Sequence, residues 1–413
     1  MKSLFIRPLV IGIGMLTSVL SYAQTEAGGL SSQINSQTIS QQGVHALNLG
    51  DLFGLRLDGV SADGDKLGNN TWFGFMSHYG YNIVDNVQVR GYLGYDVDSF
   101  TPDQGSGSQS SSSFNAGIGA SYILPIGSQN LFIGGNFGGG TLNSEDDIGG
   151  STFSSESDYT EYSLGVKMPY LLNDGHAFTL YVNYSGLTQN FDDGDNTFTG
   201  VNLGFNTYNF NTGDRFDVFH SGQGSSFSEN QFLAGNYAVG GSTGLNLTFG
   251  TDVLTQEFDG ENFESETAVT QIDFNYEGLY YVGDGFGIRG GFDYSLAKFC
   301  DPESDASSTA SLLMVMIGAQ YHIDAVCPAF YGFLDVGAGS SAFTITNDDD
   351  EEVSSDSEGL FGLNLGVGDQ YFIAPRLALR PEIGFRFLSR GDVPVTESGL
   401  NFNLGFIAYV TSD

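Results

Sequence analysis

Cationic residues are scarce: 13 Lys and Arg stand against 49 Asp and Glu, a formal net charge of −36 over 413 residues. That deficit excludes an electrostatic grip on nucleic acid, which needs clustered Lys and Arg. Two cysteines are too few to staple a chain of this length, and the nine prolines and 59 glycines follow no collagen-like period. Beyond residue 23 there is no run of 18 apolar residues, the richest stretch being Leu312 to Ala319, so no later helix could span a bilayer. Charge is thin as well. At 15% charged and 14% aromatic the chain is not a solvated acidic tail. What remains is Gly, Tyr, Phe, Asn and Ser, the composition of an all-β protein.

The chain opens MKSLFIRP, continues LVIGIGMLTSVL and reaches SYA before Gln24. A basic start, an apolar core of about a dozen residues and small side chains at Ser21 and Ala23 read as a signal peptide over 1–23, followed by an N-terminal segment over 24–43. An exported chain without a spanning helix can enter a further membrane only as a closed barrel.

Alternation with period two runs through the rest. In RLALRPEIGFRF, Leu377, Leu379, Ile383, Phe385 and Phe387 fall on one face, with Arg376, Arg380, Glu382 and Arg386 on the other. Sixteen such segments are expected, near 46–57, 71–83, 87–97, 112–124, 131–142, 158–169, 177–189, 197–210, 232–250, 267–282, 286–297, 309–323, 329–344, 359–372, 376–388 and 398–410. Their connections alternate between short turns, such as Val84 to Asn86, and long acidic stretches, such as 143–157, 251–266 and 345–358. Tight periplasmic turns opposite longer outer loops are the habit of an outer-membrane barrel. The eight long connections hold 31 of the 49 acidic residues, which concentrates negative charge at the outer end. A tyrosine precedes each of six short turns (Tyr81, Tyr122, Tyr170, Tyr281, Tyr321 and Tyr371), as expected of a girdle at the periplasmic interface.

The chain also repeats itself. NVQVRGYLGYDV, with Arg90 and Tyr95, matches GFGIRGGFDYSL, with Arg289 and Tyr294, at an offset of 199, and NLGF recurs at Asn202 and Asn403. The expected units are 44–212 and 231–413, joined by a linker over 213–230. The Tyr-rich strand, Val-Asp-Asn turn and NVQVRGYLGY string resemble the OmpA-like eight-stranded outer-membrane barrel family of Gram-negative bacteria, and YFIAPRLALRPEIGF repeats the pattern. This resemblance implies a transmembrane antiparallel meander, surrounded by outer-membrane lipid and assembled by the barrel-insertion machinery. Sixteen strands can close as two tandem eight-stranded units or as one sixteen-stranded barrel, and the long joint near 212–230 favours two. Inward charges in the second unit (Asp273, Glu277, Arg289, Asp293, Asp335, Arg376, Arg380, Glu382 and Arg386) are expected to pair across a narrow lumen, since buried charges are tolerable only when paired.

No chemistry-bearing motif stands out. His45, His78, His176, His220 and His322 lack metal-ligand spacing, and no GxSxG, HExxH or phosphate loop occurs. No catalytic residue and no cofactor are expected. The run Asp348, Asp349, Asp350, Glu351 and Glu352 offers oxygens for weak capture of divalent cations at the outer loops without fitting an EF-hand. Cys300 and Cys327 are placed at opposite ends of one strand, about 25 Å apart and far beyond the roughly 7 Å reach of a disulfide, so two free thiols are expected. The sequence reads as a non-enzymatic outer-membrane barrel with a structural or surface role and limited passage of small solutes. The alternatives are a sixteen-stranded cation-favouring porin and a surface adhesin using the acidic loops.

Overall fold

The computed structural model describes residues 38–212 and 232–410, apart from 51, 63–64, 104–106, 149–150, 172–174, 192–193, 259–260, 303, 305, 324–328, 348–351, 375 and 392–394. The expected signal peptide and linker lie outside the described residues. The regular structure is antiparallel strand. The first half holds β1 (Val44–Asn48), β2 (Phe53–Ala62), β3 (Asp65–Val84), β4 (Val87–Pro102), β5 (Gly107–Ile126), β6 (Gln129–Ile148), β7 (Ser151–Leu171), β8 (His176–Phe191) and β9 (Gly194–Thr212). The second holds β10 (Tyr237–Gly240), β11 (Gly244–Phe258), β12 (Glu261–Gly283), β13 (Phe286–Cys300), β14 (Ser307–His322), β15 (Tyr331–Thr346), β16 (Glu352–Gly368), β17 (Tyr371–Ala374), β18 (Leu377–Arg390) and β19 (Val395–Val410). All sixteen expected segments are strands. The short β1, β10 and β17 are the ends of strands that kink.

Side-chain alternation explains the wall. On β14, Leu313, Val315, Ile317 and Tyr321 point outward and are 36–67% exposed, while Gln320 points inward and is 1% exposed. An apolar exterior around a polar interior inverts the pattern of a water-soluble protein and suits hydrocarbon. Many strands far exceed the 9–11 residues a bilayer needs: β7 has 21 and β12 has 23. The expected loops 143–157 and 251–266 are therefore mostly strand, with only residues 149–150 and 259–260 between the paired ends. Beyond the membrane no lipid selects for an apolar face, so the ladder continues through Ser, Thr, Asp and Glu without the alternation that marks it lower down.

The sixteen full-length strands make one closed barrel. Consecutive strands pair within each half. The halves join where β9 pairs with β11, from Asn206↔Gly244 to Gly194↔Gln256, and where β19 pairs with β2, from Leu404↔Phe53 to Val395↔Ala62. At the short-turn end the pairing changes. There β1 pairs with β9 and β3, and β10 pairs with β19 and β12, so each half closes on itself as a ring of eight.

Two short crossings make the exchange. Leu49 N–H still donates to Thr207 O of β9 (3.1 Å), but Leu52 N–H donates to Leu404 O of β19 (3.0 Å). In the other direction, Gly241 N–H donates to Phe406 O (2.9 Å), and Thr207 Oγ1 donates to Gly241 O (2.7 Å). These bonds carry the backbone pairing across the switch, as a membrane interior demands. Gly241 is required here, because a Cβ on it would run into the Leu49 carbonyl. The expectation of two separately closed barrels is thus corrected: two rings exist only below the crossings, and one ring of sixteen stands above them. Alternation cannot reveal this, because β9 and β19 offer β2 equivalent edges.

Three buried clusters occupy the short-turn end. Ile39, Val44, Ala46, Ile123, Phe132, Ala177 and Phe210 fill the first ring. Phe232, Ala238, Leu279, Tyr281, Ala378, Ile407 and Tyr409 fill the second. Between the rings, Leu47, Leu49 and Leu52 pack on Ile373, Leu377, Phe406 and Ala408.

Candidate functional site

The filling of each ring begins with a short segment folded in from below. In the first, Asn82 Nδ2 donates to Ile39 O (2.7 Å) and Gln41 O (2.9 Å), and Asn86 N–H donates to Ser40 O (2.7 Å). In the second, Gly285 N–H donates to Phe232 O (2.8 Å), and the Phe232 ring stacks on His322 at 3.9 Å between centroids. His322 also bonds the buried Tyr281 hydroxyl (2.9 Å). The sequence carries no local signal for these plugs, whose roles depend on where the ring brings its walls.

Directly above the second plug lies the charge network. Arg289 forms a two-pronged pair with Glu382, Nη1 to Oε1 at 2.8 Å and Nη2 to Oε2 at 3.4 Å. Its Nε faces Asp335 Oδ1 at 3.2 Å, and its guanidinium lies 4.4 Å above the Phe333 ring. Arg380 pairs with Glu277 and approaches Glu382 at 3.7 Å, and Tyr331 donates to Glu382 Oε1 at 2.8 Å. Two guanidinium groups and three carboxylates thus offset one another's charge in a confined interior, with Asp335 Oδ1 and Arg380 Nε left without a hydrogen bond.

Five of the nine expected lumen charges meet here: Glu277, Arg289, Asp335, Arg380 and Glu382. The other four do not. Arg386 sits higher and pairs with Asp58 (3.6 Å) and Glu397 (3.9 Å), and Arg390 shares Glu397 (2.9 Å). Asp273 and Asp293 face interior cavities of about 470 and 210 Å³. Arg376 is a turn residue with φ 70°, and its carbonyl accepts from Tyr409 N–H and contacts His176 Nε2 at 3.1 Å. Its positive φ ends the strand alternation one residue before β18, which corrects the expectation that Arg376 continues the inward face.

Of the expected tyrosine girdle, Tyr122, Tyr170, Tyr321 and Tyr371 are outward and 43–59% exposed. Tyr81 is half-buried against His45, with centroids 4.9 Å apart. Tyr281 is a correction: it is fully buried in the second plug, and its neighbour Tyr280, 49% exposed, holds the outer position. In a Tyr-Tyr pair on a strand one ring must face each way.

Among the described residues no group of three or more His, Cys, Asp or Glu side chains converges as a metal site. Of the cation candidates, Asp348, Asp349, Asp350 and Glu351 lie outside the described residues, and Glu352 opens β16. Cys300 is a free thiol at the long-loop end of β13, and Cys327 lies outside the described residues.

A second polar region lies at the β19–β2 junction. Arg56 stacks on Trp72 at 4.4 Å, and Asp96, Asn115, Asn401 and Asn403 border the same cavity of about 410 Å³. Neither the stack nor the cavity was expected from sequence, because β2 and β19 lie more than 330 residues apart.

A closed all-β wall, apolar outside and polar within, defines an outer-membrane β-barrel of a Gram-negative bacterium. Residues 222–406 match the family model for an outer membrane protein beta-barrel domain. No curated protein matches the sequence. Among solved structures, the chain is similar to OmpTdeltaL8, a loop-deletion mutant of the outer membrane protein OmpT of Vibrio cholerae, at 11% identity and a TM-score of 0.33, covering 89% of this chain and 98% of that one. OccK7 (OpdD) of Pseudomonas aeruginosa gives 12% identity and a TM-score of 0.32, with 89% and 99% covered. Ail, the attachment invasion locus protein of Yersinia pestis, covers 43% of this chain and 99% of its own at 13% identity and a TM-score of 0.27.

Proposed function

We propose that this protein is a non-catalytic outer-membrane barrel with a closed base, serving a structural or surface role and passing small solutes at most slowly. One observation carries the reading: below the crossings both eight-strand rings are filled with buried side chains, and eight strands enclose little more than side chains can fill. The outward wall has lipid as its partner, and assembly falls to the barrel-insertion machinery. We read the halves as a tandem duplication of an OmpA-like unit. In support, the turns at Asn86 (φ 65°) and Gly285 (φ 69°) are built alike: Ile123 N–H donates to Asn86 O, and His322 N–H donates to Gly285 O, each at 2.8 Å.

Planar-bilayer recording tests the proposal. The expected outcome is little or no steady conductance from the purified full chain, and a large, stable open level would overturn it. The second reading, a cation-favouring passive pore, is favoured by the sixteen-strand ring and the acidic long-loop end. It requires that large level, with a reversal potential displaced toward cations in a salt gradient.

A further inference from the structure

The two junctions between the halves are alike in strand geometry but not in chemistry. At the β9–β11 junction the inward polar groups use one another. Thr248 Oγ1 donates to Asn202 Oδ1 (2.7 Å), Asn202 Nδ2 donates to Ser185 Oγ (2.5 Å), and Tyr181 donates to Asn246 Oδ1 (2.9 Å). Asn196 Oδ1, Asn206 Oδ1 and Asp252 Oδ1 of the same two strands are also buried without a partner, so the junctions differ in the groups that line them rather than in full satisfaction. At the β19–β2 junction the cross-strand partners are Arg56↔Asn401 and Gly54↔Asn403. Among the described residues no hydrogen bond reaches the side chain of Arg56, Asn401 or Asn403, and Asn401 Oδ1 is buried without a partner. These groups border the cavity of about 410 Å³.

The cavity wall is built rather than incidental. The Trp72 indole lies flat across two glycines: a Cβ on Gly54 would sit 2.5 Å from Cζ3, and one on Gly74 2.5 Å from Cζ2. Arg56 covers the other indole face, and the indole N–H is held by Asp96. Stacking on an aromatic plane fixes the guanidinium fork, so little side-chain entropy is lost when it binds. Donors on Arg56 and the amides of Asn115, Asn401 and Asn403 are interleaved with the acceptors of the same amides and of Asp96. Arg56 and Asp96 are the charged residues that border the cavity, and Asp58, Asp98 and Glu397 act on Arg56 from beyond it, opposed by Arg386. An anion would find no surplus positive charge here, whereas hydroxyls, each both donor and acceptor, match interleaved amides.

We propose that this junction is a binding site for a neutral saccharide of one or two rings, held by Arg56, Asp96, Asn115, Asn401 and Asn403 over the Trp72 platform. The site needs both halves, because two of its amides come from β19 and the platform from β2 and β3. It does not depend on whether the barrel conducts.

Trp72 is the sole tryptophan of the chain, so its fluorescence reports this cavity alone. The full chain in detergent is titrated with glucose and with maltose, and in parallel with glutamate and with glucosamine. The expected result is a saturable change with an uncharged sugar, weakened at least tenfold in Asn401→Leu and in Asn403→Leu. Asn202→Leu, at the other junction, should leave the titration unchanged and controls for general loosening of the wall. Retained mobility of the folded band on unheated gels shows that each variant still closes. No saturable response to either neutral sugar would overturn the proposal. So would tighter binding of glutamate or glucosamine, or a response that both junction variants with folded barrels leave intact.

Discussion

At the scale of single residues, inward position changes the meaning of a side chain. Arg289 and Glu382 are 11% and 9% exposed and lean on each other through two hydrogen bonds. Removing one partner strands the others, so Arg289→Met is expected to destabilise the barrel by about 3–5 kcal/mol, read as a lower urea midpoint for unfolding from lipid vesicles. Arg390, 42% exposed, should cost no more than about 1 kcal/mol as Arg390→Met in the same assay. The adjacent tyrosines make a sharper comparison. Tyr281→Ala removes a buried ring that bonds His322 and packs on Phe232, and about 3–5 kcal/mol is expected to be lost. Tyr280→Ala acts only at the lipid-facing surface and should change the midpoint far less. Equal effects would show that the plug is not a packed core. The alternation of Gln271 to Tyr276 already fixes which face of β12 is inward. Carried forward to position 281, that alternation places Tyr281 inside, whereas the position of the turn alone does not.

Elements decide how the barrel closes. All strands were legible because lipid on one side and polar interior on the other leave a period-two mark. Their extensions beyond the membrane were not, since a hairpin in water pairs its backbone without needing an apolar face. Neither were the crossings at 49–52 and 241–243, because each involves only a few residues whose new partners lie in the other half. A disulfide tests the exchange. With Cys300 and Cys327 replaced by Ser, Leu55→Cys and Phe402→Cys should form a bond on oxidation, because they are direct cross-strand partners. Mass spectrometry of the digested protein identifies the linked peptides. Two separately closed barrels would keep these strands apart and give none.

For the whole molecule, the consequence is a vessel with a floor. The sixteen-strand ring encloses polar cavities, and below it two narrow rings are stopped by Ile39 and Phe232 with their surrounding clusters. If the floor limits passage, opening one ring should be felt across the membrane. Phe232→Gly withdraws a ring that contacts Tyr281, His322, Phe372 and Tyr409, and is expected to raise bilayer conductance above that of the unaltered chain. An unchanged trace from a folded variant would place the barrier elsewhere, with the charge network around Arg289 as the next constriction.

The amino-acid sequence by itself determined the strand count, the lipid-facing stripes, the acidic long-loop end and five of the charges that meet above the second plug. Each is a local property, written by the environment that a side chain must face every second residue. Only the tertiary structure decided that the halves exchange strands, that Tyr281 belongs to a plug, and that Arg56 and Trp72 meet Asn401 and Asn403. Those outcomes depend on which of two equivalent strand edges is taken. Equivalent edges carry the same alternation, so the choice rests on contacts between residues hundreds of positions apart.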